Sequence, residues 1–273
     1  MISILYIYIY AGVTSLLYSI YMDKENILIS NDDGVIAVGI KCLSEYLGKA
    51  HNVTVVAPCN NCSGASSSLT LNRPLYPEYL TDNTIAINGT PADSVHLAIT
   101  GLLPKLPDRV ISGINRGMNM GDDAIYSGTV GAALEGRVLA KTAIAVSLVG
   151  DKNFLTAAKV LSALLDSGLL DSLPQGIIVN INVPDVEFHK LAGIQLTRLG
   201  KRHKADNVHT GIDPRGRKHY WIGAAGNELD CSDGTDFSAV SQGFVSVTPL
   251  QIDMTAYSGI MPELQRLFSQ FEL

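Results

Sequence analysis

Positive charge is scarce in this 273-residue chain: 20 Lys and Arg stand against 26 Asp and Glu, for a formal charge of −6. A broad basic face, the electrostatic footprint of proteins that bind nucleic acid polymers, is therefore excluded. Cysteine is scarce too. Cys42, Cys59, Cys62 and Cys231 are too few and too scattered to form a disulfide scaffold. Several ready-made catalytic signatures are absent. There is no Gly-x-x-x-x-Gly-Lys-Ser/Thr loop, no Gly-x-Gly-x-x-Gly after the first strand, no His-Glu-x-x-His and no Gly-x-Ser-x-Gly. The six histidines are dispersed, which suits surface or structural roles. Disorder is excluded as well, because 47% of the residues are apolar and only 17% charged.

One absence is local. Met1–Met22 holds no Asp, Glu, Lys or Arg, has 17 apolar residues and carries 5 of the 11 tyrosines. Its uncharged run from Ile2 to Ile20 has roughly the ~20-residue length of a bilayer-spanning helix. It lacks the positive n-region and small-residue cleavage site of a signal peptide, and flanking positive charge for orientation. The expectation taken forward is that translation starts at Met22. An N-terminal anchor and a weak export signal are the alternatives, and a membrane is a partner only if the segment is real. Residues 23–273 are then a single cytoplasmic domain.

What the body does have is alternation. Asn26–Ser30 reads as a short buried strand ending in Asn31-Asp32-Asp33-Gly34. Gly39–Ala50 places Ile40, Leu43 and Leu47 on one helical stripe. Asn52–Ala57, Arg109–Ile114, Ala143–Leu148 and Ile177–Val183 read as further strands, with helices predicted over Gly128–Ala140 and Phe154–Leu170. Such a pattern predicts an α/β fold, a Rossmann-like three-layer core with a mainly parallel sheet. From about Ile194 the segments Ile194–Leu199, Lys218–Ile222 and Phe244–Leu250 read as hairpin elements added to that core, and Pro262–Phe271 as a terminal helix.

In open α/β sheets ligands gather at the carboxyl ends of the strands, and three polar clusters fall there. Asp32 and Asp33 repel each other unless a cation lies between them, and hard oxygen donors suit Mg²⁺ or Mn²⁺. A helix N-cap accounts for one of the pair and poorly for both. Ser63-Gly64-Ala65-Ser66-Ser67-Ser68 can wrap an anion or lend a hydroxyl ligand, or can be an ordinary loop. The third cluster runs from Ser112-Gly113-Ile114-Asn115 through Asn119, Asp122 and Asp123 to Ser127-Gly128-Thr129. Asn115 offers a neutral oxygen, and Ser127, Gly128 and Thr129 at a helix start can cradle a phosphate. Asp122 and Asp123 suit orienting the loop better than ligation. Cys59-Asn60-Asn61-Cys62 is a C-x-x-C that reads as a redox pair, as half of a zinc site lacking its other half, or as two incidental thiols.

These clusters resemble the SurE family of metal-dependent survival-protein nucleotidases. The likeness runs through ILISNDDGV (27–35), SGASSSLTL (63–71), NGTPADSV (88–95), SGINRGMNMGDDAIYSGTVGAALEGR (112–137), VNINVP (179–184), DPRG (213–216) and VSVTPL (245–250). It implies a 5'-nucleotidase that releases phosphate from nucleoside 5'-monophosphates with one divalent cation. Carried over, Asp32, Asp33, Ser63 and Asn115 are the metal ligands, with Asp32 and Asp33 central to catalysis. Gly64, Asn119, Ser127, Gly128 and Thr129 fall in the phosphate pocket. A homodimer or homotetramer assembled through the β-rich extension, about 194–273, is also implied. The chain departs from the pattern at Cys59 and Asn60, where the family has an acidic and then a basic residue. It departs again at Gln251 and Tyr257, where the family commonly has His. The alternatives are a broader phosphohydrolase acting on 3'-nucleotides or polyphosphate at the same site, and a non-catalytic nucleotide-binding or redox protein.

Overall fold

A strand buried on both faces must alternate its side chains between two apolar layers, and β1 (Asn26–Ser30) does so. Ile27 and Ile29 enter one layer and Leu28 the other. The computed structural model describes residues 24–202, 205–223, 225–257 and 259–270. The predicted extension over residues 1–22 lies outside them. Among the described residues no helix is long and apolar enough to cross a membrane.

From β1 the chain passes through α1 (Val38–Leu47) to β2 (Asn52–Pro58), β3 (Pro77–Thr81) and β4 (Thr84–Ile87). It continues through α2 (Pro91–Leu97), β5 (Arg109–Arg116), α3 (Gly128–Glu135), β6 (Ala143–Val149), α4 (Phe154–Asp166) and β7 (Ile178–Pro184). Beyond lie β8 (Gly193–Leu196), β9 (Lys201–Arg202), β10 (His209–Ile212), β11 (Lys218–Trp221) and β12 (Glu228–Asp230). The chain ends through α5 (Asp236–Ser241), β13 (Phe244–Leu250) and α6 (Ile260–Phe268).

Nine strands form one sheet in the order β3-β4-β2-β1-β5-β6-β7-β13-β8. The six strands from β4 to β7 are parallel, whereas β3 and β13 run antiparallel to their neighbours β4 and β7. Stripes of α1 and α4 (Ile40, Leu43, Leu47, Leu161, Leu165) cover one face. Val95 of α2 and Val130, Ala132 and Ala133 of α3 cover the other. The predicted three-layer α/β class is the observed one. From β1 the chain winds outward to β2 and β4 on one side, then returns to β5, β6 and β7 on the other. The switch point thus lies at the carboxyl ends of β1 and β5, where the polar clusters were predicted to gather.

Some element boundaries differ from the sequence reading. The helix predicted to Leu170 stops at Asp166, because Gly168 turns to φ +67° and a short 3-10 turn follows. The helix predicted to Ala140 ends at Glu135, and the one predicted to Ala50 at Leu47. The terminal helix lies over Ile260–Phe268 rather than Pro262–Phe271. Among the described residues of the β-rich end only β10 and β11 form a hairpin. Phe244–Leu250 is a full member of the main sheet, antiparallel to β7 and parallel to β8.

The amino-terminal edge of the sheet is secured by charge. Arg109 is almost wholly buried, yet Glu25 and Asp171 both pair with its guanidinium and the Thr142 carbonyl accepts a further N–H at 3.1 Å. Lys141 pairs with the same two carboxylates. Burial alone would push Glu25 up, but Arg109 and Lys141 outweigh it and hold its carboxyl below the ordinary range. A carboxylate with a depressed folded pKa stabilises the fold above its unfolded pKa and ceases to as the pH falls through the folded one. Stability to urea should therefore fall in acid below about pH 4. Arg109→Leu, which leaves those carboxylates short of a buried partner, is expected to cost about 3 kcal/mol. An unchanged urea midpoint would contradict both expectations.

Candidate functional site

The turn after β1 is closed by Asn31, whose buried amide donates to the Gly34 carbonyl at 2.9 Å and accepts the Gly34 N–H at 3.2 Å. Asp32 is only 4% exposed. Its Oδ1 accepts the Thr129 hydroxyl at 2.5 Å, tying the end of β1 to the first turn of α3. That approach requires Gly128, since a Cβ there would stand 2.8 Å from the Asp32 Cβ. Asp33 Oδ2 accepts the Arg116 N–H at 3.0 Å. The two carboxylates thus bridge from β1 to the two ends of the segment that joins β5 to α3.

Asn115 is aimed by a bulge. Ser112 pairs with Ala145 and Asn115 with Ser147, so β5 has one residue more than β6 between those pairs. Gly113 accommodates the bulge at φ +136°, where a Cβ would stand 2.2 Å from the Val146 carbonyl oxygen. The Asn115 amide nitrogen donates to the Gly117 carbonyl at 2.9 Å, leaving the amide oxygen to serve as an acceptor.

The serine loop closes the third side. Cys62 N–H donates to the Asp32 carbonyl at 2.7 Å, immediately before Ser63. Ser66 donates through its N–H to Tyr126 at 3.0 Å and through its hydroxyl to Ile125 at 2.7 Å, so the loop is bound to the chain entering α3. Ser63 and Gly64 are exposed beside this junction, with Gly64 at φ +78°. Ser127 caps α3 by accepting the Val130 N–H at 3.0 Å. The hydroxyls of Ser127 and Thr129 are thus engaged in building the site, and the helix N-terminus itself carries the positive end of the dipole.

Asn119 lies in the same β5–α3 segment, bonded to β6 and β7. Asp122 accepts the Arg202 N–H and Asp123 pairs with its guanidinium, so both orient the loop against β9. Buried Asp236 of α5 accepts the Gly121 N–H at 2.7 Å and the Gly200 N–H at 2.8 Å. The sequence reading gave no role to Asp236, Arg202 or the β7 asparagines, although the latter lie in the VNINVP stretch. Only the asparagines carried a signal: Asn180 and Asn182 stand two apart in an apolar strand, which points both to one face.

Among the described residues Asp32 and Asp33 form no ion pair with Lys, Arg or His. Burial pushes the Asp32 carboxyl above its ordinary range, the Thr129 hydrogen bond opposes this, and Asp33 adds to the rise. Two carboxylates, an amide oxygen and a nearby hydroxyl are all hard oxygen donors, the set that Mg²⁺ or Mn²⁺ takes. The residues present fit such an ion. Among the described residues no group of three or more His, Cys, Asp or Glu side chains could hold a metal, so the C-x-x-C is not part of a cluster of that kind. All four cysteines are free, and burial raises the Cys62 thiol. Of the histidines, His96 of α2 pairs with Glu135 of α3 at 2.8 Å.

Fold and site together define a doubly wound α/β protein with an oxygen-rich site at its switch point. Comparison with known proteins narrows the class. A model of the family described as Survival protein SurE matches residues 27–206, and the chain belongs to that family. It is 54% identical over 234 residues to the 5'-nucleotidase SurE of Methylobacillus flagellatus, covering 85% of this chain and 95% of that protein. Identity to the 5'-nucleotidase SurE of Coxiella burnetii is 52% over 236 residues, covering 86% and 92%. The crystal structure of the SurE protein from Aquifex aeolicus superposes with a TM-score of 0.77 at 41% identity, covering 89% of this chain and 99% of that one.

A buried carboxylate without a cation opposes folding. Asp32→Asn should therefore raise the melting temperature of the metal-free protein and abolish the further rise expected of the wild type on adding Mn²⁺. Binding at 100 times Kd contributes about 2.7 kcal/mol. A variant that melts lower when metal-free, or that still responds fully to Mn²⁺, would be the opposite result.

Proposed function

We propose that this chain is a divalent-metal-dependent 5'-nucleotidase, a phosphoric monoester hydrolase that converts nucleoside 5'-monophosphates to nucleoside and phosphate. One observation carries the reading. At the switch point Asp32 meets the capped start of α3 through Thr129, and Asp33 meets the end of β5 at Arg116, next to Asn115, in a chain more than half identical to relatives named as 5'-nucleotidases.

Asp32, Asp33, Ser63 and Asn115 would hold the cation, Mg²⁺ or Mn²⁺. When bound, such an ion supplies Lewis-acid polarisation of a phosphoryl oxygen and eases ionisation of the attacking water. Thr129 fixes the Asp32 carboxylate through its hydroxyl, and the Arg116 N–H fixes that of Asp33. The N-terminus of α3, with Gly64, Asn119, Ser127, Gly128 and Thr129, holds the phosphate oxygens and stabilises their developing charge. A carboxylate of the Asp32–Asp33 pair takes the proton of the attacking water.

Residues 23–273 act as one domain whose part after Ile194 serves assembly into a homodimer or homotetramer. The β10–β11 hairpin supports this, exposing Ile212, Tyr220 and Trp221 to solvent. So does α6, which buries none of its residues and exposes Ile260, Leu267 and Phe268. A cytoplasmic setting suits four free thiols and a nucleotide substrate.

Phosphate release from 5'- and 3'-nucleotides, polyphosphate and sugar phosphates, with and without added divalent ions, tests the proposal. Nucleoside 5'-monophosphates should be hydrolysed fastest, by about tenfold or more in kcat/KM. Chelation should stop the reaction, and Mg²⁺ or Mn²⁺ should restore it. Faster turnover of polyphosphate or 3'-nucleotides would favour the broader phosphohydrolase, and no release from any substrate would overturn the proposal.

A further inference from the structure

Asn119 is held by more hydrogen bonds than a loop residue needs. Its N–H donates to Asn182 Oδ1 at 2.9 Å. Its carbonyl accepts Nδ2 of Asn180 at 2.8 Å and Nδ2 of Asn182 at 3.0 Å. Its own Nδ2 donates to Ser147 Oγ at 2.9 Å. Backbone and side chain are therefore gripped separately, the backbone from β7 and the side chain from β6.

The gripping residues are costly where they stand. Asn180 and Asn182 are fully buried in a strand that otherwise presents Ile178, Val179, Ile181 and Val183. Ser147 is fully buried too and pairs in register with Asn182. Asparagine is depleted in strands and unfavourable in an apolar layer unless its amide is bonded. The Asn180 Oδ1 has no hydrogen-bond partner among the described residues. An apolar side chain would pack here without that penalty, so the useful part of Asn180 is its N–H, and what the N–H holds is Asn119.

We propose that Asn180, Asn182 and Ser147 are positioning residues of the phosphate site, acting through Asn119. An amide nitrogen carries two hydrogens. Ser147 takes one, and with the backbone fixed from β7 the other is directed to a phosphate oxygen. This rests on the reading above that Asn119 contacts the substrate phosphate.

A double-mutant cycle on the full chain tests it, with kcat, KM and the Ki of inorganic phosphate measured for each variant. Asn119→Ala and Asn182→Ala should each lower kcat/KM for a nucleoside 5'-monophosphate by about tenfold or more, with the Ki of phosphate rising in parallel. The double variant should fall no further than Asn119→Ala, within about twofold. Ile181→Val trims the same strand without touching Asn119 and should leave kcat/KM within about twofold of wild type. If Asn182→Ala does not fold, Asn180→Ala runs the same cycle, since it removes one hydrogen bond together with an unpartnered acceptor. Losses that multiply in the double variant would overturn the proposal, as would a folded single β7 variant with wild-type kcat/KM and phosphate Ki. A wild-type protein that releases no phosphate, or an Asn119→Ala variant without effect, overturns the reading beneath and the proposal with it.

Discussion

The hydrogen bond from Thr129 to Asp32 is the contact around which the site is organised. It withdraws a carboxylate from water at the carboxyl end of the strand where the winding reverses. A charge so placed is unfavourable alone, and among the described residues its surroundings offer dipoles rather than a cationic side chain. Other features follow from it. Gly128 lacks a Cβ so that α3 can reach Asp32, the serine loop bonds the Asp32 carbonyl through Cys62, and Asp33 reaches across to Arg116. A divalent cation held here, as proposed, would relieve that cost.

The two ends of the sheet divide the work. At the amino-terminal end Arg109, Glu25, Asp171 and Lys141 pair with each other, so charge there satisfies itself and stabilises the fold. At the carboxyl end, by contrast, Asp32 and Asp33 accept hydrogen bonds from Thr129 and Arg116 and form no ion pair among the described residues. The β-rich end of the chain is joined to this second region. Asp236 bonds Gly121 and Gly200 together, and Arg202 meets Asp122 and Asp123, so the loop carrying Asn119 is braced by the part of the chain proposed to form the oligomer.

Much of this was legible because the central strands are short, apolar on both faces and followed at once by polar clusters. β1 and β13 were read to their end residues, and α1 was visible in its Ile40, Leu43 and Leu47 stripe. β3 was missed because Pro77–Thr81 is exposed throughout and shows no alternation of burial. α2 was missed although Thr90-Pro91-Ala92-Asp93 spells a capping box, with Pro at its first helical position. The partners of Phe244–Leu250 could not be read locally, because they are set by distant strands β7 and β8. Cys59 and Cys62 attracted attention as thiols, yet it is their backbone that ties this turn to the sheet and the site: Cys59 N–H bonds Ile87 and Cys62 N–H bonds Asp32. A contact made by the main chain tolerates loss of the family's charged side chains at this turn.

The central claim is that Asp32, Asp33, Ser63 and Asn115 form one cation site at the switch point. Anomalous diffraction from crystals of the protein equilibrated with Mn²⁺ tests it most directly. The expected result is a single strong peak per chain, within about 2.5 Å of oxygen atoms from both carboxylates and the Asn115 amide. A peak bound elsewhere, or none at saturating Mn²⁺, would contradict it.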